Sequence, residues 1–180
     1  EYIQEVRWET DLRMRRAGEV IEETDRAFGA AFGRTYGGAF ETYRMEDADV
    51  ALMTLGTVTS TAREVVDRLR GQGERVGLIK LRTFRPFPTE RLQDVTSHLK
   101  ALGVYDRAVS YGAGGPSYIE ARNALYDTTT MPILGFLAGL GGRDVTPQDV
   151  ELMFKKTLGA VGRGRRASGI HWIGTRGVSP

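Results

Sequence analysis

The sequence predicts an α/β protein: a three-layer α/β/α sandwich around a mainly parallel sheet of about five strands. Residues 50–55 and 76–81 are short apolar runs separated by an amphipathic stretch, which spells strand, helix, strand with room for a crossover. The same alternation of apolar run and helical pattern continues beyond Pro88, and glycines punctuate the ends of the runs.

Composition narrows the function. The 180 residues, 41% hydrophobic, suffice for one sizeable core plus an appendage. A net charge of +2 calls for no nucleic-acid partner. There is no cysteine, so the chain holds no thiolate-ligated cluster, Cys-type zinc site or disulfide, and two histidines do not make an imidazole metal site. No run approaches the roughly 20 apolar residues of a membrane span, and the opening residues do not resemble a signal peptide. The expectation is a cytoplasmic protein with no membrane partner. Because Glu1 opens within structured-looking sequence, a portion of a longer protein is expected.

The first 47 residues are read as an N-terminal helical linker. Leu12, Val20, Ile21, Phe28 and Phe32 fall largely on one side of a helical pattern over 5–32, and Gly18 predicts a kink. Phe40 and Tyr43 pin the connection that follows. Residues 48–160 form the α/β domain. Its strand over 50–55 has almost no polar interruption and is expected at the centre of the sheet. Gly56 ends it, and Thr57, Thr59 or Ser60 offers a hydroxyl to the amides that open the next helix. Val58, Ala62, Val65, Val66 and Leu69 are its inner face, Gly71 and Gly73 its stop. A strand over 76–81 ends before Pro86 and Pro88.

Thr89 then caps a helix whose stripe is Leu92, Val95, Leu99 and Leu102, ended by Gly103, with the third strand at 107–111. The Gly-rich segment 112–117 leads into a helix with Ile119, Ala121, Ala124 and Leu125 inside. Residues 131–138 are the fourth strand. Thr146, followed by Pro147 and acids in the first turn, is the clearest helix start; Val150, Met153, Phe154, Thr157 and Leu158 face inward. Residues 161–180 are a C-terminal strap, with a basic turn and a last short strand at 170–173.

Ligands of such folds meet the loops at the carboxyl ends of the strands. Thr57 and Ser60, at a helix start, are the anion-site candidates; capping explains the same hydroxyls, and the loop lacks the lysine of a Walker motif. Residues 112–115 fit no dinucleotide fingerprint and read as a tight strand-to-helix turn or a packing surface for another subunit. Arg143 offers a guanidinium for an acidic ligand, and Asp144 a carboxylate to hold it internally; the internal ion pair is the favoured reading. His98 and His171 lack any nucleophile or second ligand beside them, and Asp94 and Asp106 have no spacing for paired acid and base work. Arg163, Arg165 and Arg166 read as a solvated basic turn. No catalytic or metal-binding residue is assigned.

Residues 48–67 and 76–88, with Gly141-Gly-Arg-Asp-Val-Thr-Pro-Gln-Asp-Val150, resemble the C-terminal domain of the α subunit of pyruvate:ferredoxin oxidoreductase (pyruvate synthase). That domain is related to the transketolase C-terminal domain. The resemblance spans residues 28–174, and the Gly-Gly-Arg-Asp motif leans towards pyruvate among the 2-oxoacid:ferredoxin oxidoreductases. It implies, for the whole assembly, oxidative decarboxylation of a 2-oxoacid with coenzyme A. Thiamine diphosphate with Mg supplies the carbanion chemistry, and iron-sulfur clusters carry electrons to ferredoxin. All of these are implied to sit on other domains and subunits, with this chain as a packing element. The alternatives are a stand-alone module binding CoA or a phosphorylated metabolite, and a domain of a transketolase-like or 1-deoxyxylulose-phosphate synthase-like enzyme.

Overall fold

The structure, a computed structural model, describes residues 2–177. The first residue of the 1–47 segment and the last three of the 161–180 strap lie outside the described residues. The chain divides into two compact units, Glu1–Glu41 with Leu81–Pro88, and Thr42–Lys80 with Thr89–Pro180.

The first unit is dominated by α1 (Ile3–Phe32). The kink expected at Gly18 is absent: the helix runs unbroken through it. One glycine costs a helix only about 1 kcal/mol, and exposed i,i+4 pairs such as Arg15–Asp11 at 2.9 Å support the preceding turns. No residue of α1 is buried, and Leu12, Val20 and Phe32 of the expected inner face are exposed. Gly33 closes the helix in a left-handed conformation, φ 68°, with its N–H on the Gly29 carbonyl. Two acids of α1 then organise the next segment. The Asp25 carboxylate accepts the N–H groups of Tyr36 at 2.9 Å and Gly37 at 3.0 Å, and Glu22 accepts that of Ala39 at 3.0 Å. Arg82 donates to the carbonyls of Tyr36 and Gly38 at 2.9 and 3.2 Å.

Among the described residues six strands form one sheet: β1 (Phe40–Tyr43), β2 (Val50–Leu55), β3 (Val76–Leu81), β4 (Ala101–Asp106), β5 (Ile133–Leu137) and β6 (Gly169–Trp172), in the order β1-β3-β2-β4-β5-β6. β2, β4, β5 and β6 pair in parallel, with Leu52 beside Gly103 and Gly103 beside Leu134. The sixth strand is β1, a four-residue element that the sequence shows only as a connection. In the second unit, α2 (Val58–Gly71) and α5 (Pro147–Leu158) pack together, and α5 crosses β2, β4 and β5. α4 (Pro116–Leu125) covers β4 and β5 and carries α3 (Thr89–Thr96) beside it.

The largest departure from expectation is at α3. The stripe ending in Leu99 and Leu102 overran the helix, which stops at Thr96, and the third strand is Ala101–Asp106 instead of 107–111. All six residues of this strand are buried. Gly103 is not a helix stop: a Cβ there would lie 2.8 Å from Thr157 Oγ1 and 2.9 Å from both Leu52 Cδ1 and Phe136 Cε2. The glycine lets α5 and the neighbouring strand close on β4. On α4 the inward residue is Tyr118, while Ile119 is 36% exposed; the Tyr118 ring lies flat enough on β5 that a Cβ at Gly135 would meet it at 2.9 Å.

The core joins Val50, Leu52, Val65, Val66, Leu78, Phe136, Met153 and Phe154, each essentially without solvent contact. Burial of each such side chain contributes about 1.5–3 kcal/mol. At α5 the expected start is present in full. Thr146 Oγ1 accepts the N–H of Asp149 at 3.2 Å while the Asp149 carboxylate accepts that of Thr146 at 2.9 Å, a reciprocal capping box.

Candidate functional site

After β2 the chain moves to β3 on one side, then returns to β4 on the other, so the strand order reverses between β2 and β4. In open parallel sheets the crevice outside the carboxyl ends at such a reversal is the usual ligand site. A cleft of about 550 Å³ lies there, within the range of roughly 300–1,000 Å³ of small-molecule sites. Leu55, Gly56, Thr57, Val58 and Thr61 form one wall, Tyr105 and Arg107 follow from β4, and Arg143, Asp144 and Val145 come from the loop before α5.

Of the two candidates at this helix start, Thr57 lines the cleft and Ser60 is exposed outside its lining. The expected capping does not occur. Thr57 has helical backbone angles, φ −70° and ψ −25°, and makes no side-chain cap. The Thr59 hydroxyl turns inward, 3.0 Å from that of Thr54, and donates to the Gly56 carbonyl at 2.8 Å. The first turn instead closes through the backbone, from Thr59 N–H to Gly56 O at 3.3 Å and from Ser60 N–H to Thr57 O at 3.1 Å.

The Arg143–Asp144 pair is also corrected: Arg143 donates from Nη1 to the Gly174 carbonyl, so the motif fastens the C-terminal segment. Arg107 donates from Nε to the Gly139 carbonyl at 2.8 Å. Tyr105 is buried, its hydroxyl 3.4 Å from the Ala138 carbonyl, and burial pushes the phenol up against the opposing pull of Arg107. Gly139, at φ 77°, allows this convergence: a Cβ there would lie 3.2 Å from both Arg107 Nε and Tyr105 Oη.

Asp106, the last residue of β4, is buried and accepts the N–H groups of Ser117 at 2.8 Å and Tyr118 at 2.9 Å, anchoring the start of α4. Burial pushes its carboxyl above the usual range, against the Ser117 and Tyr118 hydrogen bonds that pull it down. Sequence reasoning missed this role because it placed the strand at 107–111, just beyond Asp106; an aspartate ending an apolar run before a Gly-Pro helix start was the available signal. The 112–115 segment is a tight turn, with Gly112 and Gly114 at φ 82° and 100° and Ser110 N–H bonded to Gly114 O at 2.7 Å.

The histidines serve structure. His98 Nε2 meets the Met45 carbonyl at 2.9 Å. The His171 ring stacks on Phe136 at 5.5 Å, and burial first, then Lys156, holds its pKa down. The basic turn is not merely solvated, since Arg165 donates to the Thr129 carbonyl through Nε at 3.1 Å and Nη2 at 2.6 Å. Among the described residues no three His, Asp or Glu side chains gather as a metal site, and no helix is long and apolar enough to cross a membrane.

The layered α/β fold is shared with two solved structures. One, a split-gene transketolase described as an inactive beta4 tetramer, aligns at TM-score 0.53 and 20% identity over 64% of this chain and 40% of its own. The other is a 2-oxoglutarate:ferredoxin oxidoreductase from Magnetococcus marinus, at TM-score 0.51 and 19% identity over 73% of this chain and 21% of its own. These likenesses define the fold. The profile of the family described as pyruvate:ferredoxin oxidoreductase core domain II matches residues 48–150, and the chain belongs to that family.

Among curated proteins the chain is similar to pyruvate synthase subunit PorA of Methanothermobacter thermautotrophicus, 40% identical over 157 residues, 87% of this chain and 40% of the relative. PorA of Thermotoga maritima is 42% identical over 146 residues, 81% of this chain and 37% of the relative. Ketoisovalerate oxidoreductase subunit VorA of Pyrococcus horikoshii is 40% identical over 157 residues, again 87% and 40% of the two chains. The chain thus spans about two fifths of the length of these relatives.

Proposed function

We propose that this chain is the non-catalytic structural and subunit-packing part of the α subunit of a 2-oxoacid:ferredoxin oxidoreductase. The assembly converts pyruvate and coenzyme A to acetyl-CoA and carbon dioxide, passing two electrons to ferredoxin. The observation that carries this reading is the match to pyruvate synthase subunits over 87% of this chain but only 40% of theirs, which leaves most of such a subunit to other segments. Thiamine diphosphate with Mg and the iron-sulfur clusters belong to those segments and to partner subunits; a chain with no cysteine contributes no thiolate to a cluster. Within the chain, residues 1–47 serve as linker, 48–160 as the α/β domain and 161–180 as strap. A cytoplasmic location is part of the same reading.

The test is reconstitution. The purified chain is expected to show no CoA-dependent pyruvate oxidation, and the assembled enzyme containing it to reduce ferredoxin with pyruvate. Turnover by the chain alone overturns the assignment. Pyruvate is preferred here for the Gly141-Gly-Arg-Asp144 motif. The VorA relative is as similar as PorA, so the assay compares pyruvate with ketoisovalerate, and a higher kcat/KM for the branched acid reverses the substrate choice.

A further inference from the structure

The cleft at the strand-order reversal has features that a packing domain does not require. Two guanidinium groups, Arg107 and Arg143, reach it from different loops. Arg107 uses Nε on the Gly139 carbonyl, and among the described residues neither of its Nη groups has a protein acceptor. Arg143 has no carboxylate partner there either, its one bond being to the Gly174 carbonyl. Tyr105 is only 3% exposed, yet among the described residues its hydroxyl reaches no acceptor nearer than 3.4 Å, well beyond the usual 2.5–3.0 Å or so for an O–H donor. A buried donor left so poorly matched, on the wall of an open cleft, invites an acceptor from outside. The opening turn of α2, with Thr57 at its edge, adds the positive end of a helix dipole to the same space. Asp144 offsets one positive charge and leaves the cleft net cationic.

Part of the same lining is apolar. Leu55 ends a strand whose other five residues are buried, and it is itself 43% exposed, facing the cleft with Val58 and Val145. A ligand matching both the cationic and the apolar parts of the lining is a small organic molecule with an anionic head and a non-polar body.

We infer that this cleft is a binding site for a small oxyanion-bearing metabolite, its phosphate or carboxylate head held by Arg107, Arg143 and the Tyr105 hydroxyl and its body against Leu55. The inference does not rest on the proposed function: it concerns a site on the chain itself and is tested without turnover.

The experiment is calorimetric titration of the full chain at matched ionic strength with inorganic phosphate and with succinate, and amide NMR shifts to locate the site. Saturable binding is expected, with shifts at Gly56, Thr57 and Arg107. Arg107→Gln and Arg143→Gln should each weaken it about tenfold, the equivalent of one charge-assisted hydrogen bond, while Arg163→Gln, in the basic turn, leaves it unchanged. Arg107→Lys, which keeps the charge, and Leu55→Glu, which places a like charge on the apolar wall, guard against misfolding: the first should retain partial binding and the second abolish it with an unaltered amide spectrum elsewhere. Preference for phosphate or for succinate decides which head group the site takes. Absence of saturable binding to both, or equal weakening by Arg163→Gln, overturns the proposal.

Discussion

Asp106, at the end of the central strand β4, accepts the backbone N–H of Tyr118, in the first turn of α4, at 2.9 Å, and its other carboxylate oxygen takes the N–H of Ser117 at 2.8 Å. One buried side chain therefore satisfies two of the amides that open a helix, the task normally given to a capping residue. Asp106→Ala leaves both donors unmet and is expected to lower unfolding stability by about 2–4 kcal/mol, measured by urea denaturation. Asp106→Asn keeps one acceptor and should lose less. Equal stability of the alanine variant and the parent would remove Asp106 from this role.

Asp49 meets Lys100 at 3.0 Å and Arg75 at 2.6 Å, and hydrogen bonds from these two cations hold its carboxyl below the ordinary value of 3.8. A carboxylate whose folded pKa lies below its unfolded one stabilises the fold above the unfolded value, and that contribution disappears as the pH falls through the folded one. Stability should therefore decline below about pH 4, and Asp49→Asn should flatten that limb by about 0.5–1 kcal/mol. Thermal melts across pH 2–6 check it, an unchanged acid limb being the contrary result.

Thr146→Ala removes half of the capping box at α5. A loss of about 1 kcal/mol in unfolding free energy is expected, recovered by Thr146→Ser. If serine fails to restore it, the hydroxyl is not the source of the stability.

Gly103→Ala sets a methyl group against Thr157, Leu52 and Phe136 at once. Overpacking of this kind costs about 1–3 kcal/mol. A double variant with Leu52→Val, which removes the Cδ1 that the new methyl would meet, should regain part of the loss; differential scanning calorimetry would show whether it does.

The fold was legible wherever local signals and tertiary packing agreed. β2, α2, β3 and α5 stand where apolar runs, helical period and the Thr146-Pro147 start place them. The reading failed at α3 and β4 because Leu92, Leu99 and Leu102 keep helical spacing across two elements, and only the three-dimensional neighbours of Gly103 show that it serves close packing. β1 is too short to show a period. At the cleft, Thr57 was found from its place after a strand. Tyr105 and Arg107 were not, since the strand expected at 107–111 starts after Tyr105 and puts Arg107 at its beginning, whereas β4 ends at Asp106 and leaves Arg107 in the loop, and the partner of Arg143, Gly174, lies 31 residues away along the chain.

Gly38, held at φ 62°, has the Glu22 carboxyl so close that a Cβ would fall 2.1 Å from one oxygen. Gly115 stands in the same relation to Asp106, also at 2.1 Å. A larger residue at either position requires the neighbouring carboxylate to move, and at Gly38 also strains the backbone. When such sites prove unchanging across a set of related proteins, their constancy will record a shortage of room beside a carboxylate, and it should not be taken as a sign of chemistry at those points.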